Sequence, residues 1–129
     1  MNLLKLNISR ESSIKNIQEQ FNTCYPFLKI EFLNYSSSKS QLFKGVHNTF
    51  HSEQVFEEDI LFLDWHSIDI SKDRTVAQLE QDLEKKYGFL VQVYRRIGKL
   101  WIGINLTNDW TLEHQNKEGE LISSMLRVA

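Results

Sequence analysis

The sequence predicts an α+β fold of the ferredoxin-like class, built by duplication of a strand-helix-strand unit. Residues 3–32 align with residues 65–94 without a gap, so that position 3 matches position 65. Two such units in series give the βαββαβ order, in which the second unit fills the gap that a right-handed crossover leaves in the first. We therefore expect one four-stranded antiparallel sheet with both helices on one face. The pairs that define the alignment are Ile8 with Ile70, Ser9 with Ser71, Ile17 with Leu79, Tyr25 with Tyr87, Phe27 with Phe89 and Leu28 with Leu90.

Each unit contains the signals of a strand followed by a capped helix. Apolar residues alternate over 3–8 and again over 65–70, which is the period of a strand with one buried face. Ser13 and Thr75 then offer hydroxyls that can cap a helix start, and Gln78 completes a capping box with Thr75. These signals predict one amphipathic helix in each unit. The apolar helical stripes are Ile14, Ile17, Phe21 and Cys24 in the first unit and Val76, Leu79 and Leu83 in the second.

A returning strand follows each helix. Pro26 and Gly88 stand at equivalent places just past the helices, where the helix must end. The segments 27–33 and 89–95 are apolar enough to form the returning strands. In the second unit Tyr94 aligns with Phe32, which predicts that it mirrors Phe32 in the duplicated core.

The chain extends beyond the duplication. The segment Ile97-Gly98-Lys99 is typical of a hairpin tip that joins the returning strand to a new one over 100–106. Asp109 or Thr111 can cap a last helix. Within that helix Gly119 indicates either a close approach to a partner or a loop between two short helices. We expect a single domain over residues 1–129, which divides into a repeat unit at 3–33, a long connecting loop at 34–59, a second unit at 60–95 and a C-terminal strand and helix at 99–126.

Composition limits the classes of function. The chain has 129 residues, of which 41% are hydrophobic and 12% aromatic, as a domain with a real core requires. Fifteen basic and seventeen acidic residues leave a net charge of -2, which does not favour nucleic acid or a membrane surface as partner. Cys24 is the only cysteine, so the chain forms no internal disulfide. No segment has the length of a membrane span or a signal peptide, and we expect a soluble cytoplasmic protein.

Residues able to carry chemistry are few. His47 and His51 are four residues apart with Glu53 and Glu57 nearby, but a solvated loop accounts for this segment better than a metal site. Two further candidates, Asp64 and His66, flank Trp65 on one strand, where the carboxylate could orient the imidazole. Neither a nucleophile nor a metal motif accompanies this pair. Cys24 lies near a helix C-terminus, which disfavours a thiolate. We expect no catalytic residues, no metal and no cofactor.

Two groups of residues are candidates for binding. Tyr94, Trp101 and Trp110 could bind a small ligand, or stack on single-stranded RNA, in a pocket between the sheet face and the C-terminal helix. The alternative is that these aromatic side chains are core or cover residues. The basic side chains of Arg95, Arg96 and Lys99 cluster at the hairpin and are either an interaction surface or a solvated tip.

The C-terminal third contains a pattern seen elsewhere. It consists of Val91-Gln92-Val93-Tyr94-Arg95-Arg96, then Gly98-Lys99 and Trp101, then Asn108 to Asn116. This pattern resembles that of a group of small proteins of Bacteroidetes-type bacteria with which no activity is associated. The resemblance implies a bacterial cytoplasmic origin and transfers no site residue.

Two functional hypotheses follow. The first is a non-enzymatic protein-interaction or self-associating module that uses the basic hairpin, with the acidic segment 53–59 as a further charged element. The alternative is a small-ligand or single-stranded nucleic-acid binding domain that uses the sheet face. An enzyme resting on Asp64 and His66 comes third.

Overall fold

The computed structural model describes residues 4–9, 12–33 and 66–128. These residues form an α+β structure, as predicted, and both strand-helix-strand units occur in the expected places. The connecting loop 34–59, with His47, His51 and the acidic segment 53–59, lies outside the described residues. In chain order the elements are β1 (Lys5–Ile8), α1 (Ile14–Cys24), β2 (Leu28–Leu33), β3 (His66–Asp69), α2 (Val76–Tyr87), β4 (Leu90–Ile97), β5 (Leu100–Gly103), a 3-10 turn (Asn105–Thr107) and α3 (Leu112–Val128).

The helices begin at the capping residues that the sequence indicates. The Ser13 hydroxyl accepts the backbone N–H three residues on, and Thr75 and Gln78 form the complete capping box. Of the two candidate caps of α3, Thr111 is the one used: its hydroxyl accepts the N–H of His114 at 3.1 Å. Each cap satisfies a donor that the first helical turn would otherwise leave unpaired.

The described strands pair in two antiparallel sheets. β1 pairs with β3, and β2, β4 and β5 form a three-stranded sheet in that order. In the interleaved ferredoxin-like arrangement β2 and β4 would occupy opposite edges of one sheet, whereas here they are direct neighbours. The ferredoxin-like topology is therefore not confirmed. Each strand of the first unit pairs with its counterpart in the second, which for β1 and β3 also holds in the ferredoxin-like arrangement and for β2 and β4 does not.

Helix α1 occupies strand edges that a single sheet would have paired. The side-chain amide of Gln18 donates to the backbone carbonyl of Ile30 in β2 at 2.9 Å. The Gln20 amide both accepts the N–H of Asn7 in β1 and donates to its carbonyl, at 2.9 and 3.0 Å. Since backbone groups at a sheet edge need partners, these amides replace the ladder bonds of a neighbouring strand.

One hydrophobic core contains the apolar faces of α1 and α2. Equivalent positions of the repeat are buried in both copies up to Tyr25 and Tyr87, which are 2% and 8% exposed. The fully enclosed large side chains are Phe21, Phe32, Leu6, Ile8, Ile14, Ile17, Leu28, Ile30, Ile68, Ile70, Leu79 and Leu83.

Beyond the helices, aligned residues of β2 and β4 face opposite ways. Ile30 and Phe32 are completely buried, whereas Gln92 and Tyr94, which align with them, are only partly buried. The strand pairing places Ile30 opposite Val93, which is buried as well. The prediction that Tyr94 mirrors Phe32 in the core is therefore wrong.

The cause lies in the turns that precede the two strands. Gly88 ends α2 in the left-handed conformation with φ 74°, while α1 ends at Tyr25 with φ −134° and Pro26 follows. Residues with a side chain favour a negative φ, as at Tyr25, whereas glycine readily adopts the positive φ found at Gly88. Because side chains alternate along a strand, a shift of one residue at the turn moves the whole set to the other face. As a result Phe89 is buried and its counterpart Phe27 is only half-buried.

A partly buried carboxyl group of α2, beside β4, makes stability depend on pH. Glu80 of α2 accepts the backbone N–H of Val93 at 3.3 Å, and burial raises the pKa of its carboxyl above 4.5. The unfolded chain then releases this proton first, so stability falls as the pH rises through the raised pKa. Glu80→Gln keeps an oxygen that can accept the N–H of Val93 but removes the charge. We expect this variant to be more stable than the native protein at neutral pH by less than about 1 kcal/mol, because solvent screens a partly exposed group. The difference should vanish under acid conditions.

Denaturant unfolding of both proteins between mildly acid and neutral pH measures this effect. The matched control is Glu84→Gln, one turn further along α2, where the side chain is exposed. A stability difference for Glu80→Gln that is the same at every pH would contradict the assignment.

Candidate functional site

An open groove lies between the β4–β5 hairpin and the C-terminal half of α3. The hairpin turns at Gly98, which has φ 65°, a conformation that suits glycine. Two hydrogen bonds fix the tip: the Gly98 N–H donates to the Ser123 hydroxyl at 2.9 Å, and Arg96 Nε donates to the Gly98 carbonyl at 2.7 Å. The tip is therefore attached to α3, and the groove between them has a defined shape.

The groove is apolar with a basic border. Its volume is about 480 Å³, which is in the range of known small-ligand sites. Leu100 is 67% and Leu126 53% exposed, although large apolar side chains are usually buried. No acidic side chain is among the described residues that line it. The lining residues are Phe27, Arg96, Ile97, Gly98, Lys99, Leu100, Ser123 and Leu126.

The register shift after α1 contributes to this groove. Phe27, only half-buried where its counterpart Phe89 is enclosed, lines the groove. Its backbone N–H donates to the side chain of Asn116 in α3 at 2.8 Å. The same residue accepts the N–H of Arg96 at 2.9 Å, so Phe27 connects β4 with α3.

The three basic residues predicted for interaction divide into two environments. Arg96 and Lys99 are exposed and lie at the edge of the groove. The side chain of Arg96 starts on the Tyr94 and Trp101 face of β4 and reaches the hairpin tip, where its Nε donates to the Gly98 carbonyl. Arg95 points elsewhere: its guanidinium donates to Gln115 Oε1 at 2.9 Å and lies 5.7 Å from the centre of the Trp110 ring. Gln115 is completely buried and also donates to the Thr107 carbonyl at 2.7 Å. Arg95 is thus part of the packing of α3.

The three aromatic residues predicted for ligand binding do not line one pocket. Tyr94 and Trp101 share a face of the sheet, where Lys29 Nζ lies 5.5 and 5.0 Å from their ring centres. Trp110 lies on the other side of β4 with Arg95, because neighbouring residues of a strand point to opposite faces. It stacks on His114 with ring centres 4.1 Å apart. Of the three aromatic residues, the structure brings together Tyr94 and Trp101.

Of the candidates for chemistry, Cys24 is the one that lies within the described residues together with its side chain. Asp64 and the side chain of His66 lie outside the described part of the chain. Within that part no three His, Cys, Asp or Glu side chains are grouped so that they could hold a metal ion. Burial raises the pKa of the Cys24 thiol, which disfavours its reactive thiolate form. None of the described helices is long and apolar enough to cross a membrane.

Several residues of the groove were not identified from the sequence. Leu100 and Leu126 are ordinary members of an alternating strand and an amphipathic helix, and Ser123 is a common helix residue. Their common position at the groove and the hydrogen bond from Gly98 to Ser123 distinguish them. The basic hairpin tip is the signal that the sequence offers, and it indicates Arg96 and Lys99.

Comparison with protein-family models, with curated proteins and with solved structures found no match. The groove geometry is therefore the basis of the functional argument.

Proposed function

We propose that the protein is a non-enzymatic interaction module of the bacterial cytoplasm that binds a partner protein in the groove between the hairpin and α3. The observation that carries this proposal is the exposure of Leu100 and Leu126 on facing walls of an apolar groove. Exposed apolar walls lose contact with water when a partner covers them, which is the main driving force of association. Aromatic, aliphatic and arginine side chains at one groove are typical of binding sites for protein segments.

The border of the groove disfavours a symmetric dimer formed through it. In an isologous contact the same patch meets itself, so Arg96 and Lys99 of both copies would come together. Like charges that face each other across an interface weaken association. A partner other than a second copy therefore fits the groove better.

The sheet face is a second candidate, favoured by the common orientation of Tyr94 and Trp101. Stacking of a base or a small ligand needs open ring faces. Lys29 lies over both rings and also pairs with Glu31 at 3.4 Å. Because this lysine already covers the rings, the groove remains the first proposal.

Site-specific photo-cross-linking in the native host tests the proposal. A benzophenone amino acid at position 100 should give a protein adduct of defined mass, because Leu100 forms a wall of the groove. The same label at Leu106, which is 99% exposed and outside the groove, is the control and should give no such adduct. Adding Leu126→Asp should remove the adduct, since a charge in the apolar wall opposes burial.

Three outcomes would oppose the proposal. They are the absence of an adduct at position 100, equal adducts at positions 100 and 106, and an adduct that contains only a second copy of this chain. Circular dichroism and the thermal midpoint of each variant establish that it is folded.

A further inference from the structure

We infer that the partner presents an acidic amphipathic peptide segment, whose apolar side chains enter the groove while its carboxylates meet Arg96 and Lys99. This inference rests on the proposed function and adds the chemistry of the partner.

The charges around the groove carry the argument. The whole chain has a net charge of -2, yet the two charged side chains among the described groove residues are both cations. Neither forms a salt bridge with another described residue; the four ion pairs within the described ranges involve Lys29, Lys72, Arg74 and Lys117. Arg96 donates from Nε to the Gly98 carbonyl, and its terminal guanidinium nitrogens form no hydrogen bond with another described residue. The border is therefore a local positive site on an acidic protein.

The depth of the groove favours a peptide over a small apolar anion. A fatty-acid chain needs an enclosed tunnel that removes it from water. Here both walls are more than half exposed at Leu100 and Leu126, so an alkyl chain would remain in contact with solvent. A peptide segment covers these walls with its own apolar side chains and places acidic side chains beside them. Such a segment combines burial with charge complementarity.

The guanidinium and ammonium groups have distinct roles in this interface. Arg96 presents a planar fork that can bind a carboxylate with two hydrogen bonds. Lys99, at the exposed tip, contributes a flexible point charge that steers the approach of an acidic segment. Both effects weaken as salt screens the charges.

Fluorescence anisotropy with two labelled synthetic peptides tests the inference. One carries leucines on one helical face and glutamates on the other; the second has lysines in place of the glutamates. At low salt we expect the native protein to bind the glutamate peptide at least about tenfold more tightly than the lysine peptide. The double variant Arg96→Glu with Lys99→Glu should reverse this preference. Lys99→Glu alone, which leaves the hydrogen bond of Arg96 in place, should reduce it.

Matched variants separate the inference from the proposed function. Leu126→Asn, which removes apolar surface without adding a charge, should weaken binding of both peptides at least about tenfold, and Leu106→Asn should change neither. Equal affinity for the two peptides would overturn the inference and leave the cross-linking result as the test of function. Binding of decanoate without binding of either peptide would overturn it too, because it would identify a small anion as ligand. No binding of either peptide would equally contradict it.

Discussion

Phe32→Ala is expected to lower the free energy of unfolding by about 3–5 kcal/mol, whereas Tyr94→Ala, at the aligned position of the second unit, should cost about 1 kcal/mol or less. Phe32 is completely buried and contacts Phe89 edge to face, with ring centres 5.5 Å apart. Its removal leaves a cavity that the surrounding core fills only in part. Tyr94 is only partly buried and loses mainly its contact with Lys29.

Urea denaturation of the two variants measures this difference. The matched controls are Ile17→Ala and Leu79→Ala, which lie in the helices before the register shift and are both completely buried. These two should have similar costs of about 2–5 kcal/mol. Equal costs for Phe32→Ala and Tyr94→Ala would contradict the opposite orientation of the aligned strand residues.

This comparison also indicates how far the duplication predicts structure. The capping residues and apolar stripes of the sequence correctly predict α1 and α2, because these signals are local. It does not predict which way the following strand faces, since that depends on one turn. Pro26 and Gly88 align in sequence, but only glycine readily adopts the left-handed conformation that ends α2.

The division into two sheets depends on interactions that a sequence pattern does not display. Gln18 and Gln20 belong to the polar side of α1, which a helical pattern assigns to solvent. In the structure both amides bind strand backbone, Gln18 at Ile30 of β2 and Gln20 at Asn7 of β1. Long-range choices of this kind are decided by competition between partners for the same backbone groups.

For the candidate site, too, the sequence predicts the local part, the hairpin tip, and not the packing of α3 against it. The hairpin tip and its basic residues follow from a turn sequence between two strands, and the structure places Gly98 there. The opposite wall of the groove comes from α3, far along the chain. Its position depends on packing rather than on any local signal, and Gly119 is the residue that makes this packing possible.

Gly119→Ala is expected to destabilise the protein by about 1–3 kcal/mol, although alanine favours a helix by about 1 kcal/mol over glycine. A Cβ atom at this position would lie 2.9 Å from Phe27 Cβ and 3.0 Å from the backbone carbonyl oxygen of Arg96. Because backbone cannot rotate aside as a long side chain can, α3 would have to move away from the hairpin. α3 is continuous from Leu112 to Val128, so Gly119 marks a close approach and does not divide the helix.

Thermal and urea unfolding test this prediction, with Glu120→Ala as the control. Glu120 is the next residue in α3 and is exposed, so its substitution changes helix propensity without changing the contact with the hairpin. Gly119→Ala should also weaken the preference for the glutamate peptide, because Phe27 and Arg96 belong to both the contact and the groove. A variant that is as stable as the native protein, or more stable, would mean that helix and hairpin can separate at little cost. The groove would then lack the fixed walls on which the proposed binding of a partner depends.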